Sequence, residues 1–144
     1  MLEKADIVGW DVVMIDDHGD SRELISHVLS FAGVEVHTAE NGQQGLEMIT
    51  NLNPALVLID ISMPVMDGWT VIKHVRDDET ISDTPMIAIT AHALVGDRER
   101  VLEAGFDHYI SKPINLPSFI DDLLKAINTL PRVQAYLDQW EKAS

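Results

Sequence analysis

The stretch A-L-V-L-I-D-I-S-M-P-V-M-D-G, residues 55–68, runs an unbroken apolar segment, Ala55 to Ile59, straight into the carboxylate of Asp60, and meets a second acid, Asp67, within a turn-rich segment. An apolar run of that length without alternation reads as a strand covered on both faces, as in a parallel sheet. Two further runs behave alike: Val12 to Ile15 ends on Asp16-Asp17, and Met86 to Ile89 ends on Thr90. Val34 to Ala39 reads as a strand that alternates in part. Tyr109 to Ser111 is a short one that meets Lys112-Pro113.

Helical patterns fill the intervals. Leu24, Ile25, Val28, Leu29 and Ala32 recur at helical spacing, with Asp20 and Glu23 as a capping-box-like start and Gly33 as a stop. Asn41, three residues before Gln44, caps a helix carrying Leu46 and Ile49, which Asn53-Pro54 ends. Asp67 is read as the N-cap of a helix over Trp69 to Arg76, with Val71, Ile72 and Val75 on one face. A helix from about Gly96 carries Val101 and Leu102 and stops at Gly105. Phe119, Ile120, Leu123, Leu124 and Ile127 mark the last strong helix, before Pro131. Strand and helix thus alternate through five units, which specifies an α/β domain, a doubly wound five-stranded parallel sheet with helices on both faces. Ligands of such sheets bind beyond the carboxyl ends of the strands, at the topological switch point.

Composition narrows the function. The chain has 144 residues, 46% hydrophobic and 24% charged, with no cysteine and a formal charge of −14. Its length suits one domain. No apolar stretch is long enough to span a bilayer and the N-terminus has no signal-peptide pattern, so no membrane association is expected. The missing cysteines exclude disulfides and thiolate metal sites and fit a reducing, cytoplasmic setting. The acid excess speaks against nucleic acid as a partner.

At the strand ends stand Asp16, Asp17, Asp60, Thr90 and Lys112. Any one of them is an ordinary way to end a strand. Three acids sharing one edge repel one another and require compensation. A hard divalent cation supplies it, and carboxylates with a backbone carbonyl, without imidazole or thiolate, suit magnesium or manganese better than zinc. With the metal on Asp17 and Asp60, the second oxygen of Asp60 is placed to act as a nucleophile without a general base, toward an aspartyl phosphate. Lys112 and the metal would stabilise the charge of a transferred phosphoryl group, and Thr90 would hydrogen-bond it.

Over residues 10 to 129 the chain resembles the receiver domain of two-component response regulators, of the single-domain, chemotaxis-regulator-like kind. The acidic pair at 16 and 17, the L-I-D-I-S-M-P-V-M-D-G segment around Asp60, T-A at 90 and 91, and K-P at 112 and 113 carry the resemblance, in this order and each at a strand end. It implies a flavodoxin-like fold in which Asp60 accepts phosphate from a histidine kinase or a histidine phosphotransfer protein. Asp17, Asp60 and the carbonyl of Ser62 would hold Mg2+ (or Mn2+) directly, and Asp16 through water. Lys112 would pair with the phosphoryl oxygens, across a cis bond to Pro113. Thr90 and Tyr109 would be a switch pair that remodels the face of helix four, strand five and helix five for a downstream protein. Such a chain is a phosphoacceptor switch and not a turnover enzyme, beyond its own phosphorylation and dephosphorylation.

Two rivals fare worse. A phosphatase of the haloacid dehalogenase type places a second Asp two residues after its nucleophile. That position holds Ser62 after Asp60 and His18 after Asp16, and there is no room for a cap domain. A flavin-binding protein needs amides and hydroxyls where D-D-H-G-D-S is acidic. The histidines at 18, 27, 37, 74, 92 and 108 lack metal-ligand spacing, and surface or rim positions are expected for them, although His18 borders the acidic pair. Ser62 and His92 stand where the family tunes phosphoryl lifetime. Trp10 and Trp69 are read as packing residues. Residues 1–130 are expected to form the receiver. In 131–144 a helical extension is expected, with Val133, Tyr136, Leu137 and Trp140 on one stripe, either folded onto the domain or serving as a partner surface. The starting Met and the tail favour a stand-alone regulator over a receiver excised from a hybrid kinase or longer regulator.

Overall fold

The structure is a computed structural model that describes residues 2–61, 63, 66–90 and 97–130. Five strands, β1 (Asp11–Ile15), β2 (Glu35–Ala39), β3 (Leu56–Asp60), β4 (Met86–Thr90) and β5 (His108–Ser111), alternate with helices α1 (Gly19–Phe31), α2 (Gly42–Leu52), α3 (Gly68–Asp77), α4 (Asp97–Ala104) and α5 (Phe119–Ile127). All strand pairs are parallel, in the order β2-β1-β3-β4-β5. The chain reverses its direction of travel across the sheet between β1 and β3, so their carboxyl ends flank the crevice where such sheets bind ligands.

The unbroken apolar runs are explained by burial on both faces. Within β3, Leu56 and Leu58 join the core beneath α1 and α5, with Val12, Met14, Ile87, Ile89, Phe119 and Leu123. Val57 and Ile59 join the opposite core, with Val13, Ile15, Ile49, Val71, Ile72 and Val101. Each fully buried aliphatic side chain contributes about 1.5–3 kcal/mol. The five residues of β3 are all buried, and the last of them is Asp60. The edge strand β2 is exposed or half-buried at every residue but Ala39, which accounts for its partial alternation.

Local signals hold at two helix starts and fail at one. The Asn41 side chain accepts the Gln44 amide at 2.9 Å, and the Gln44 side chain accepts the Glu40 amide at 3.1 Å. Asp67 Oδ1 accepts both the Thr70 amide, at 2.9 Å, and its hydroxyl, at 3.0 Å. The capping box read from Asp20 and Glu23 does not form. α1 begins at Gly19 after an extended His18, and His18 makes no side-chain cap bond. The extended backbone at His18 sets the helix going before Asp20 reaches a cap position, which leaves Asp20 as an acid in the first turn, favourable to the helix dipole. Strand bounds move by one residue: β1 starts at Asp11, β2 at Glu35 and β5 at His108. Gly105, with φ +114°, ends α4 as expected. The Lys112–Pro113 peptide is cis. Ser62, His92 and the whole 131–144 extension lie outside the described residues.

Candidate functional site

Backbone pairing assembles the site before any side chain is considered. The register sets Ile15 beside Ile59 and Asp60 beside Ile89, and the Ile61 amide extends the ladder to the Ile89 carbonyl at 3.2 Å. On the other side of β4, Thr90 pairs with Ser111, and its carbonyl accepts the Lys112 amide at 2.8 Å. The Gly68 amide donates to the Ile61 carbonyl at 2.9 Å, so α3 starts against the end of β3. A Cβ on Gly68 would stand 2.8 Å from the Ile61 Cα and 3.2 Å from the Asp60 carbonyl, an approach that only glycine permits. The turn after β1 is pinned by Arg22, whose guanidinium donates to the Asp16 carbonyl at 2.8 Å.

Four of the residues expected at the strand ends meet. Asp16 is completely buried and Asp60 is 4% exposed. Lys112 Nζ donates to Asp60 Oδ2 at 3.0 Å and lies 3.6 Å from Asp16 Oδ2. Burial of the ammonium pulls its pKa down. The hydrogen bond to Asp60 and the charges of Asp16 and Asp60 outweigh that loss and hold it above the ordinary lysine value. Thr90 is buried at the end of β4, and Tyr109 is half-buried beside Ala88, two rungs below the Thr90–Ser111 pair.

The donor set fits a divalent cation. Asp16 Oδ2 and Asp17 Oδ1 are buried and accept no hydrogen bond among the described residues, a costly condition for carboxylate oxygens unless a cation reaches them. Lys112 by itself does not balance three carboxylates.

The geometry also brings an imidazole to this group. His18 Nδ1 lies 3.1 Å from Asp17 Oδ1, 3.5 Å from Asp16 Oδ1 and 4.0 Å from Asp60 Oδ2. Asp16, Asp17, His18 and Asp60 each present one ligand atom, all within 4.8 Å of one another. Metal-ligand spacing along the sequence did not reveal this, because the candidate donors come from the ends of two strands. The signal available was the position of His18 directly after the acidic pair. His18 is anchored by its own amide, which donates to Asp16 Oδ1 at 2.9 Å.

Sequence reading also missed a polar clasp at the opposite edge of the sheet. The Arg76 guanidinium donates to the carbonyls of Gly105 (2.9 Å), Ser82 (2.8 Å) and Thr84 (2.7 Å) and to Asp107 Oδ2 (3.0 Å). Asp107 Oδ2 also accepts the Met86 amide at 2.8 Å.

Comparisons with known proteins agree with this arrangement. Residues 12–128 match the family model for the response regulator receiver domain. The polar-differentiation response regulator DivK of Brucella anthropi is 35% identical over 112 residues, which cover 78% of this chain and 91% of that protein. Chemotaxis response regulator CheY4 of Vibrio cholerae superposes with a TM-score of 0.77 at 27% identity, over 83% of this chain and 99% of that one. The receiver domain of a sensor histidine kinase from Pseudomonas aeruginosa, crystallised with magnesium coordinated in its active-site cleft, gives 0.75 at 29% identity, over 84% of this chain and 99% of that one. A parallel sheet in this strand order, an acidic crevice at its switch point and a family match across most of its length identify the chain as a member of the receiver domains of two-component response regulators.

Proposed function

We propose that this receiver is switched by phosphorylation of Asp60, with a histidine kinase or histidine phosphotransfer protein as donor. The observation that carries the proposal is the placement of Asp60. Its carboxylate is almost wholly buried at the end of β3, ion-paired to Lys112 at 3.0 Å and set beside the acidic pair of β1.

In the proposed reaction an Asp60 oxygen attacks the phosphorus of a phosphohistidine. An O–P bond forms, the N–P bond breaks, and the imidazole leaves with its electron pair and is protonated by solvent. Asp17, Asp60 and the Ser62 carbonyl would hold Mg2+ directly and Asp16 through water, and the ion would supply charge neutralisation for the transferred group. Lys112, already an ammonium at neutral pH, holds the phosphoryl oxygens on the other side. The Thr90 hydroxyl donates to the phosphoryl group, and Tyr109 follows it inward from its half-buried position. The two packings of that pair differ in their contacts with the phosphoryl group, which is what shifts the population and presents the face of α4, β5 and α5 to a downstream protein. Ser62 and His92 control water access and hence the lifetime of the acyl phosphate, so their replacement alters the dephosphorylation rate while phosphorylation persists. The receiver unit is assigned to 1–130, with 131–144 as an extension. No described helix is long and apolar enough to cross a membrane.

The test is incubation with Mg2+ and acetyl phosphate. Wild type is expected to gain one phosphoryl group by intact mass, removable by hydroxylamine, and Asp60→Asn none. Equal labelling of the two, or none of the wild type, overturns the assignment.

A further inference from the structure

We propose that His18 supplies a nitrogen ligand to the divalent cation, so that this chain's site prefers transition-metal ions such as Co2+ and Ni2+ over Mg2+. The proposal rests on the reading of Asp17 and Asp60 as metal ligands and deepens it.

Two observations converge. The first is distance. In an octahedral site with metal–ligand bonds of about 2.1 Å, neighbouring donors lie about 3.0 Å apart and opposite donors about 4.2 Å. His18 Nδ1 is 3.1 Å from Asp17 Oδ1, the spacing of neighbours, and 4.0 Å from Asp60 Oδ2, close to that of opposites. The second is the burial of the group that His18 joins: Asp16 is completely buried, and its Oδ2 accepts no hydrogen bond among the described residues and has Lys112 Nζ, which bonds Asp60, only at 3.6 Å.

An imidazole changes what such a site selects. Magnesium takes hard oxygen donors, keeps several waters and gains little from nitrogen. Mn2+, Co2+ and Ni2+ accept imidazole, with affinity rising in that order. The side chain of His18 is 66% exposed, so it reaches the ion from the solvent side of the cluster while the carboxylates hold it from below.

The test uses the full chain and measures binding, not phosphorylation. Calorimetric titrations with Mg2+, Co2+ and Ni2+, singly and in competition, are run on wild type, His18→Ala, His18→Asn and Asp17→Asn. Wild type is expected to bind Ni2+ at least about tenfold more tightly than Mg2+, with Mg2+ displaced one for one, and both His18 variants to lose about tenfold of that preference. Pulsed electron paramagnetic resonance of the Mn2+-loaded protein is expected to show a directly bound imidazole nitrogen in wild type and none in His18→Ala. A Ni2+ preference unchanged in both His18 variants, Ni2+ that binds without displacing Mg2+, or Mn2+ without nitrogen coupling overturns the proposal and leaves the carboxylate site standing. Loss of neither metal in Asp17→Asn would instead overturn the carboxylate assignment itself.

Discussion

Asp17 illustrates the cost of gathering like charges at one edge of a sheet. Its buried oxygen accepts no hydrogen bond among the described residues, has the His18 ring nitrogen at 3.1 Å, and shares its edge with two other carboxylates that Lys112 alone faces as an ammonium. Asp17→Asn is therefore expected to raise unfolding stability in metal-free buffer by about 1 kcal/mol, by relieving like-charge repulsion. The same change is expected to abolish the rise in melting temperature that Mg2+ should give wild type if Asp17 is a ligand, as proposed. Melts with and without chelator decide the matter, and a destabilised apo variant would refute it. Lys112 has the opposite role. Its pKa is raised in the folded state, so its contribution is fully present below the ordinary value of 10.5 and is lost as pH rises through the higher folded value. Lys112→Ala should cost about 1–3 kcal/mol at pH 7, discounted for partial exposure. The gap from wild type should hold up to about pH 10.5 and narrow beyond it, as denaturant titrations across that range would show. Asp16, Asp17 and Asp60 were readable in the sequence because they end or follow strands whose two-sided burial removes alternation, and Lys112 because it directly follows the short strand β5. The reach of His18 was not, since it depends on the extended backbone that starts α1 at Gly19.

Helices are set against the sheet by close approaches whose cost of disturbance can be ranked. A Cβ on Gly45 of α2 would overlap the side chain of Ile15 in β1, which is completely buried. Gly45→Ala gains about 1 kcal/mol of helix propensity, but overpacking costs about 1–3 kcal/mol, so net destabilisation is expected in urea melts. The Arg76 clasp is worth more. Lysine cannot reproduce a guanidinium fork that serves three carbonyls and a carboxylate, so Arg76→Lys should lose about 2–3 kcal/mol without loss of phosphorylation by acetyl phosphate. A drop below 0.5 kcal/mol (about the noise of an exposed substitution) would show the clasp to be dispensable. Nothing local announces this clasp, for Arg76 and Asp107 are 31 residues apart and each resembles an ordinary surface charge until the fold joins them. The caps at Asn41 and Asp67 were readable because a cap bond spans only three residues.

For the whole molecule the dominant quantity is the charge of −14. Self-repulsion of that size is screened within a Debye length of about 10 Å at 0.1 M salt, so monovalent salt should stabilise the fold. Raising KCl from about 20 to about 200 mM is expected to add up to about 1 kcal/mol in thermal melts, whereas a fall would mean that the few ion pairs outweigh the excess charge. The two cores that alternate residues of the same strands make the sheet a rigid partition, and its C-terminal edge is where the described acidic cluster lies. The far edge is different in kind. There Arg76 grips the carbonyl of Gly105, the residue on which α4 ends, while α4 begins on the side of the site. Trp69, at the start of α3, lies beneath Arg100 of α4 at 5.3 Å and edge-on to Phe106 at 6.0 Å. A rod fastened at its heel and resting on an aromatic fulcrum has one motion left to it: it swings at the toe. Under the proposed switch, displacement along α4 is therefore expected to grow from Gly105 toward Asp97, with its largest amplitude at the end nearest Asp60.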